Sequence, residues 1–329
     1  MADQGSFPVF ILFGPTGSGK TALLEKLFTG SGALCPAEVV SADSMQVYRG
    51  MDIGTAKPDA ALLARLPHHL IDIRNPGDQF NAGDFVRLAA AACGDIAARG
   101  KFPVISGGTG FYLKSFISGL GEDPSSDPLV RRSLREELLQ KGPGALFEEL
   151  ARRDPASAER IHVNDLYRLL RALEVCRVSG RPLSSFAPGK GVRGGYRFVI
   201  AGLRRDRQEL YRRIELRCED MFRRGLAAEV EELFSRGYTP RDPGLRAIGY
   251  REFFEPLPGE GYGFNRDTEG VKALVKRNSR RYAKRQETFF ASIPEAVWLP
   301  PAGSIEPEEP EKTLDLFRGL LHTFLKFIP

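Results

Sequence analysis

Residues 14–21 constrain the fold more than any other part of the chain. They read GPTGSGKT, follow the apolar run 9–13 and precede the helical pattern 22–28. A strand, a GxxxxGK[ST] loop and a helix in this order form a phosphate-binding P-loop, in which backbone N–H groups and a helix N-terminus surround an anion. In such a loop Lys20 neutralises phosphate oxygens and the Thr21 hydroxyl coordinates Mg²⁺. The segment therefore predicts an α/β fold, a P-loop NTPase-like core with a parallel sheet flanked by helices.

The composition is that of an ordinary globular protein. The chain has 329 residues, of which 42% are apolar and 27% charged, so it can form two domains or one domain with a large insertion. Four widely separated cysteines without CxxC spacing indicate free thiols in a reducing compartment, not a disulfide framework or a zinc site. Residues 1–6 do not resemble a signal peptide, and no apolar run reaches membrane-spanning length. We expect a cytoplasmic protein that does not enter a membrane.

Two further strand ends carry polar residues. Asp43 follows the apolar run 38–42, and Gly107, Gly108 and Thr109 follow residues 102–106. Because the carboxyl ends of parallel strands meet at one edge of the sheet, these residues are predicted to lie near the P-loop. Thr109 offers a hydroxyl at this edge or caps the helix that follows, and both interpretations stay open.

A histidine pair precedes a third short strand, which is predicted at residues 70–73. No other histidine or cysteine stands at ligand spacing from His68 and His69. We therefore interpret both as structural residues rather than metal ligands.

The pattern changes after residue 119. Apolar residues recur at helical spacing in 129–140, 144–152 and 165–178, and no strand pattern returns before residues 196–203. We predict a core domain of residues 1–121 and 196–300 and a helical insertion of residues 122–195 for RNA. Residues 300–329 are predicted to form a linker and one helix, to which we assign no role.

Two predicted helices, residues 206–224 and 271–290, are rich in arginine and lysine. A single charge run is usually a solvated helix face. Here two such helices share a chain with a basic loop at 184–195, which favours a surface for a phosphate backbone. Sequence alone does not distinguish RNA from DNA, but a helical insertion and the lack of a DNA-reading motif favour a folded RNA.

Several longer motifs resemble those of the bacterial-type tRNA dimethylallyltransferases (tRNA isopentenyltransferases). Besides GPTGSGKT, the matching stretches are SADSMQVYRGMDIGTAKP (41–58), PHHLIDI (67–73), GGTGFYLK (107–114), RIHVNDLYRLLRALEV (160–175), RIELR (213–217), RAIGYRE (246–252) and RRYAKRQ (280–286). They follow the family's order from about residue 9 to residue 300. The stretch at 41–58 is highly specific, whereas a P-loop alone occurs in many families.

The resemblance implies transfer of a dimethylallyl group from its diphosphate to N6 of the adenosine at tRNA position 37, directly 3′ of the anticodon. It implies Mg²⁺ as cofactor and the tRNA anticodon stem-loop as partner, and we expect a monomer. Asp43 is implied as the base that faces the adenine amine, with Thr109 and Arg217 acting on the leaving group.

The resemblance also implies two sets of binding residues. The donor diphosphate is expected on Gly14, Pro15, Thr16, Gly17, Ser18, Gly19, Lys20 and Thr21, of which Thr21 also holds the metal. The tRNA contacts are expected on Asp43, Ser44, Met45, Gln46, Thr109, Arg131, Tyr167, Arg168, Leu169, Leu170, Arg171, Arg246, Ala247, Ile248, Gly249, Tyr250 and Arg251.

Three other functions share part of this pattern. A small-molecule kinase has the same phosphate cradle but needs neither basic helix. A prenyltransferase of free adenine nucleotides does not need the insertion or the cations between 277 and 285. An RNA-binding module with an inactive P-loop would not need Lys20, Thr21, Asp43 and Thr109 together. The cradle by itself does not decide the reaction.

Overall fold

The computed structural model describes residues 7–119, 124, 126–186, 191–259, 261–299, 315, 318 and 319. The chain divides into two compact units, one of Met1–Ser115 with Gly194–Pro329 and one of Phe116–Arg193. The predicted boundaries of the insertion, 122 and 195, lie close to this division. The helix predicted within 300–329 falls almost wholly outside the described residues.

A six-stranded sheet forms the centre of the first unit. The described strands are β1 (Phe7–Phe13), β2 (Ala37–Ser41), β3 (His68–His69), β4 (Phe102–Gly107), β5 (Tyr196–Leu203), β6 (Phe254–Pro256), β7 (Tyr262–Phe264) and β8 (Val297–Leu299). Six of them pair in parallel in the order β3-β2-β4-β1-β5-β8, while β6 and β7 form a separate antiparallel pair. The parallel α/β prediction is confirmed. Helices cover both faces of such a sheet, which explains why β1, β2 and β4 are continuous apolar runs instead of alternating patterns.

The described helices surround this sheet and form the insertion. They are α1 (Lys20–Phe28), α2 (Ala60–Arg65), α3 (Ala82–Ala98), α4 (Gly110–Ser118), α5 (Pro128–Arg153), α6 (Pro155–Ala158), α7 (Leu166–Ser179), α8 (Arg207–Arg223), α9 (Leu226–Ser235) and α10 (Thr268–Phe290). The helix α5 is interrupted at Gly142, where φ is +75° and Pro143 follows. Its two halves correspond to the helices predicted at 129–140 and 144–152.

Each unit has its own apolar core. In the first unit one cluster joins the sheet to α1 through residues such as Phe10 and Leu24, and a second joins α8, α9 and α10 to the segment after β2. In the insertion, α5 and α7 pack through Leu134, Leu150 and Leu173. The insertion therefore buries its helices against one another, as a domain with its own core does.

One local prediction is wrong. No strand forms at 70–73, because Leu70 and Asp72 have φ of +64° and +55°, a left-handed conformation that extended strands exclude. The strand is His68–His69 instead, and their rings contact Leu66 O and Glu38. Farther along the chain, residues 244–253 form two short 3₁₀ turns, Gly244–Arg246 and Arg251–Phe253.

The described residues contain no helix with the length and apolar character needed to cross a lipid bilayer. All four cysteines are free thiols; Cys35 is half-buried and the other three are buried.

Candidate active site

The loops after β1, β2 and β4 line one cavity of about 380 Å³ at the carboxyl edge of the sheet. Lys20 and Thr21 reach it from the P-loop, Asp43 from the loop after β2 and Gly108 from the loop after β4. Arg217 reaches it from α8. The P-loop, Asp43 and the glycine pair therefore surround a common space, as their positions at the carboxyl ends of parallel strands predicted.

The P-loop forms the cationic side of this cavity. Gly17 and Gly19 have φ of +81° and +96°, conformations that glycine adopts without strain. Lys20 Nζ donates hydrogen bonds to the carbonyl oxygens of Gly14 (2.8 Å) and Pro15 (3.0 Å). Burial, with a smaller contribution from the nearby Arg217, lowers the pKa of Lys20 to about 8, and Asp43 opposes the change. An anion in the cavity would stabilise the charged form of this lysine.

Three arginines hold the P-loop from outside its turn. Arg205 Nε donates to Ser18 O at 2.7 Å, and Arg213 Nε donates to Gly17 O at 2.9 Å. Arg217 donates to the Thr16 hydroxyl at 3.3 Å. Burial lowers the pKa of Arg205 to about 10, and Arg213 adds to this effect. The loop is therefore held in a strongly cationic environment, which favours an anionic ligand.

Arg217 is half-buried beside the cavity. Desolvation lowers its pKa, and the Asp43 carboxylate opposes that change. Its second terminal nitrogen is 3.5 Å from the carbonyl oxygen of Thr55. The structure places Arg217 next to the P-loop, while its action on a leaving group remains a prediction.

Gln286, from α10, joins the P-loop to the loop after β4. Its Oε1 accepts a hydrogen bond from Thr16 N at 2.9 Å, and its Nε2 donates to Gly108 O at 2.8 Å. A Cβ at position 108 would lie 2.5 Å from this Nε2, so the close approach requires glycine. The sequence reasoning did not select Gln286 as a site residue, although the stretch RRYAKRQ ends on it.

Asp43 begins the opposite side of the cavity. Its Oδ1 accepts hydrogen bonds from Met45 N (2.8 Å) and Gln46 N (3.3 Å), so the side chain caps its own loop. Among the described residues no hydrogen bond involves Oδ2, while the residue borders the cavity. One carboxylate oxygen therefore holds the loop and the other is available to a ligand.

Thr109 ties the Asp43 loop to the end of β4. Its hydroxyl accepts from Ser44 N at 2.9 Å and donates to Ser44 Oγ at 3.3 Å. Ser44 lines the cavity, whereas Thr109 is not among the described residues that line it. The structure places Thr109 behind the loop that carries Asp43, and its predicted contact with the leaving group stays a prediction.

Gln46 is fixed at both ends of its amide. Its Oε1 accepts from Ser41 Oγ at 2.9 Å, and its Nε2 lies 3.3 Å from the carbonyl oxygens of both Thr55 and Ala56. The residue borders the cavity in a single orientation. Its predicted contact with tRNA stays a prediction.

The segment 246–251 lies beside the same cavity. Besides Asp43, Ser44 and Gln46, the predicted RNA contacts that line it are Met45, Arg246, Ala247, Ile248, Gly249 and Arg251. Tyr250 is different: its side chain is 0% exposed and its hydroxyl donates to Glu229 at 2.6 Å. Burial, together with the Glu229 carboxylate, raises the pKa of Tyr250. We therefore correct this prediction, because a fully enclosed ring packs the core and does not touch RNA.

In the insertion, the exposed predicted contacts share one neighbourhood. The Arg131 guanidinium lies 5.5 Å from the centre of the Tyr167 ring, and Tyr167 is 72% exposed. Arg168 is exposed and pairs with Asp165 at 3.4 Å. An arginine beside an exposed aromatic ring can contact both phosphates and bases.

Other predicted contacts in the insertion are structural. Leu169 and Leu170 are buried in its core, so their side chains do not reach RNA, and we correct these two predictions. Arg171 donates to the buried Glu174 at 3.1 Å and to Pro124 O at 2.6 Å. A guanidinium engaged in this way mainly holds the entrance of the insertion together.

The cations of α10 fall into two groups. Lys272 and Lys276 form ion pairs with Glu219 of α8, and Arg280 pairs with Glu215. The others are exposed, stand at helical spacing and form no ion pair with any described residue; they are Arg277, Arg281, Lys284 and Arg285. We call these four residues the outer cation face. The charge run is therefore partly structural, a distinction that sequence alone did not make.

The cavity offers few protein ligands for a metal, which suits Mg²⁺ better than a metal whose ligands all come from the protein. The described residues contain no group of three or more His, Cys, Asp or Glu side chains that could hold an ion. The Thr21 hydroxyl and the Asp43 carboxylate do line one cavity with Lys20. Mg²⁺ typically takes one or two protein oxygens and completes its shell with phosphate oxygens and water, which matches this donor set.

A parallel α/β core with a phosphate cradle and a carboxylate on one cavity defines a group-transfer enzyme of the P-loop class. The sequence model of one family, described as IPP transferase, matches residues 46–292. The chain belongs to this family.

Relatives support this assignment over nearly the whole chain. The tRNA dimethylallyltransferase 2 of Geotalea uraniireducens is 48% identical over 90% of this chain and 93% of its own length. The crystal structure of tRNA isopentenylpyrophosphate transferase from Bacillus halodurans is 35% identical, with a TM-score of 0.65 and coverage of 97% of this chain and 98% of that one. A eukaryotic dimethylallyltransferase acting on tRNA has a TM-score of 0.78 at 23% identity and covers 98% of this chain and 81% of its own, which shows the shared fold.

Proposed function

We propose that the chain is a tRNA dimethylallyltransferase. It transfers the dimethylallyl group of dimethylallyl diphosphate to N6 of the adenosine at tRNA position 37 and releases diphosphate. The observation that carries the proposal is the common cavity, which joins Lys20 and Thr21 of the P-loop to Asp43. Family membership and 48% identity to a named tRNA dimethylallyltransferase support it.

The reaction divides between the two sides of the cavity. The allylic C–O bond of the donor breaks and a bond forms between that carbon and adenine N6, which loses a proton. Lys20 and Arg217 stabilise the negative charge that develops on the departing diphosphate. The Thr21 hydroxyl would hold Mg²⁺, which would supply further neutralisation of the diphosphate charge.

Asp43 serves the acceptor. An adenine amine is a weak nucleophile because its lone pair is delocalised into the ring. A carboxylate oxygen that accepts its hydrogen bond both orients the amine and takes its proton as the new bond forms. We assign this role to Oδ2, since Oδ1 is engaged by Met45 N and Gln46 N.

Apart from the acceptor adenosine, the tRNA is bound mainly outside the reacting centre. The outer cation face supplies four exposed positive charges, and the insertion supplies Arg131, Tyr167 and Arg168. Such residues recognise phosphates and unstacked bases. A cytoplasmic location and a monomeric state remain predictions from the sequence.

One set of assays tests the function against its alternatives. The purified chain is incubated with dimethylallyl diphosphate and Mg²⁺, and with unmodified tRNA, the same tRNA carrying guanosine at position 37, or AMP. Digestion and nucleoside analysis should detect N6-dimethylallyladenosine only with the first acceptor. Product on AMP would favour a nucleotide prenyltransferase. Phosphorylation in a parallel incubation with ATP would favour a kinase, and tRNA binding, measured separately, without any product would favour an inactive P-loop module.

A further inference from the structure

Glu229 accepts hydrogen bonds from a loop far away in the sequence, residues 52–54. Its carboxylate, on α9, accepts hydrogen bonds from the backbone N–H groups of Asp52 (3.0 Å), Ile53 (2.7 Å) and Gly54 (3.1 Å). It also accepts from the Tyr250 hydroxyl at 2.6 Å. Three successive N–H groups on one carboxylate form an anion nest that fixes the backbone of residues 52–54. Glu229 is not among the described residues that line the cavity.

The loop held in this way carries its own contacts to the site. The carbonyl oxygen of Thr55 faces both Arg217, at 3.5 Å, and Gln46 Nε2, at 3.3 Å. The Ala56 carbonyl oxygen is also 3.3 Å from Gln46 Nε2. Ala56 has φ of +49°, so the turn is held in a conformation that alanine adopts only at a cost. The carbonyl groups that orient Arg217 and Gln46 therefore depend on a strained turn.

A second observation shows that the loop is fitted to its support. A Cβ at position 54 would lie 2.4 Å from Cε2 and 2.8 Å from the hydroxyl oxygen of Tyr250. Only glycine allows this approach, which brings the Gly54 N–H to the same carboxylate as the tyrosine hydroxyl. Tyr250 and Glu229 thus act together as the template for the turn.

We propose that Glu229 is a positioning residue that acts through residues 52–56 to orient Arg217 toward the departing diphosphate. The inference rests on the proposed function. Its physical basis is that one carboxylate accepts all four hydrogen bonds, whereas an amide in the same place would point an N–H₂ group at N–H donors. Without the carboxylate the strained turn relaxes, and the Thr55 carbonyl oxygen no longer orients the guanidinium.

The test uses Glu229→Gln, with Glu232→Gln as the matched control on an exposed part of the same helix. We expect the single-turnover rate at saturating donor and tRNA to fall about 10- to 100-fold, the range that a misplacement on the order of 1 Å produces. Both substrate dissociation constants should stay within about threefold of the parent, because the loss falls on the transition state. The control should match the parent.

A double-mutant cycle separates positioning from general destabilisation. In an Arg217→Ala background, Glu229→Gln should cost less than about threefold, because the group through which it acts is gone. An undiminished loss in that background would overturn the proposal. If Glu229→Gln does not fold, Tyr250→Phe takes its place, since it removes one donor and leaves the carboxylate. A smaller loss, again suppressed in the Arg217→Ala background, is then expected.

Hydrogen exchange keeps the inference distinct from the proposed function. In Glu229→Gln, or in Tyr250→Phe where the first variant does not fold, the amides of Asp52, Ile53 and Gly54 should exchange faster than in the parent. Unchanged exchange would remove the structural basis of the proposal. If the parent modifies no tRNA and the variant still exchanges faster than the parent, the proposed function is refuted. Glu229 then remains a support for the loop.

Discussion

The two sides of the cavity are built in opposite ways. On the P-loop side, Arg205 and Arg213 hold backbone carbonyl oxygens, and Lys20 lies over the same turn. On the other side, the Asp43 side chain is held by the backbone N–H groups of Met45 and Gln46. Side chains fix a backbone in the first case, and backbone fixes a side chain in the second. Charge thereby assigns the substrates: the diphosphate belongs on the cationic side and the amine beside the carboxylate.

The comparison is tested most strongly by Asp43→Asn. The amide oxygen can still accept from Met45 N and Gln46 N, but the residue can no longer take a proton. We expect the single-turnover rate to fall by about 10²- to 10⁴-fold, the usual contribution of a general base. Donor and tRNA dissociation constants, measured separately, should change little.

If Asp43 only capped its loop, the Asn variant would react at nearly the parental rate. If it were mainly a metal ligand, the loss would appear in donor binding and excess Mg²⁺ would partly restore it. Either result would remove the proton-accepting role from this side of the cavity.

The cationic side is tested by Lys20→Ala. Loss of a charge-assisted contact to the diphosphate should cost about 1.5–3 kcal/mol, or roughly 10- to 150-fold in kcat/KM for the donor. Lys26→Ala provides a control, since Lys26 is exposed on the same helix. Circular dichroism should confirm that both variants fold. Unchanged donor kinetics in Lys20→Ala would show that the P-loop does not bind the diphosphate.

The pKa of Lys20 predicts that donor use on the cationic side of the cavity depends on pH. Burial lowers this pKa to about 8, so the ammonium is charged below pH 8 and loses its proton above it. For the free enzyme, kcat/KM for the donor should therefore fall about fivefold from pH 8 to pH 9, and about tenfold for each pH unit beyond that, if only the charged form binds. Lys20→Arg keeps its charge throughout this range and should abolish the decline. A decline that persists in Lys20→Arg belongs to another group.

Much of this arrangement is encoded in short stretches of sequence. The P-loop is contiguous, and Asp43 was located from its place after an apolar run. Gln286, Arg205 and Glu229 gave no local signal, because tertiary packing alone brings them to distant loops.

The family motifs were less reliable for individual contacts. They implied RNA contacts for Leu169, Leu170 and Tyr250, which are buried. A motif records that a residue type is needed at a position, but burial decides whether its side chain packs the core or meets a ligand. The failed strand at 70–73 has a similar cause, since residues with apolar side chains gave no sign of the left-handed backbone at Leu70.

The smallest effect on chemistry is expected from Arg277, Arg281 and Lys284 of the outer cation face, which are not among the described residues that line the cavity, unlike Arg285. Replacing Arg277, Arg281 and Lys284 by alanine should lower the slope of log K for tRNA against log salt by about 2–3, at roughly 0.7–0.9 per phosphate contact. A control of equal charge change replaces Lys272, Lys276 and Arg280, which already pair with Glu219 and Glu215. Its slope should change less. Donor binding and the single-turnover rate at saturating tRNA should be parental in the first variant, because its side chains attract the phosphate backbone without touching the reacting groups. Equal slopes in the two variants would show that the exposed cations have no special part in tRNA binding.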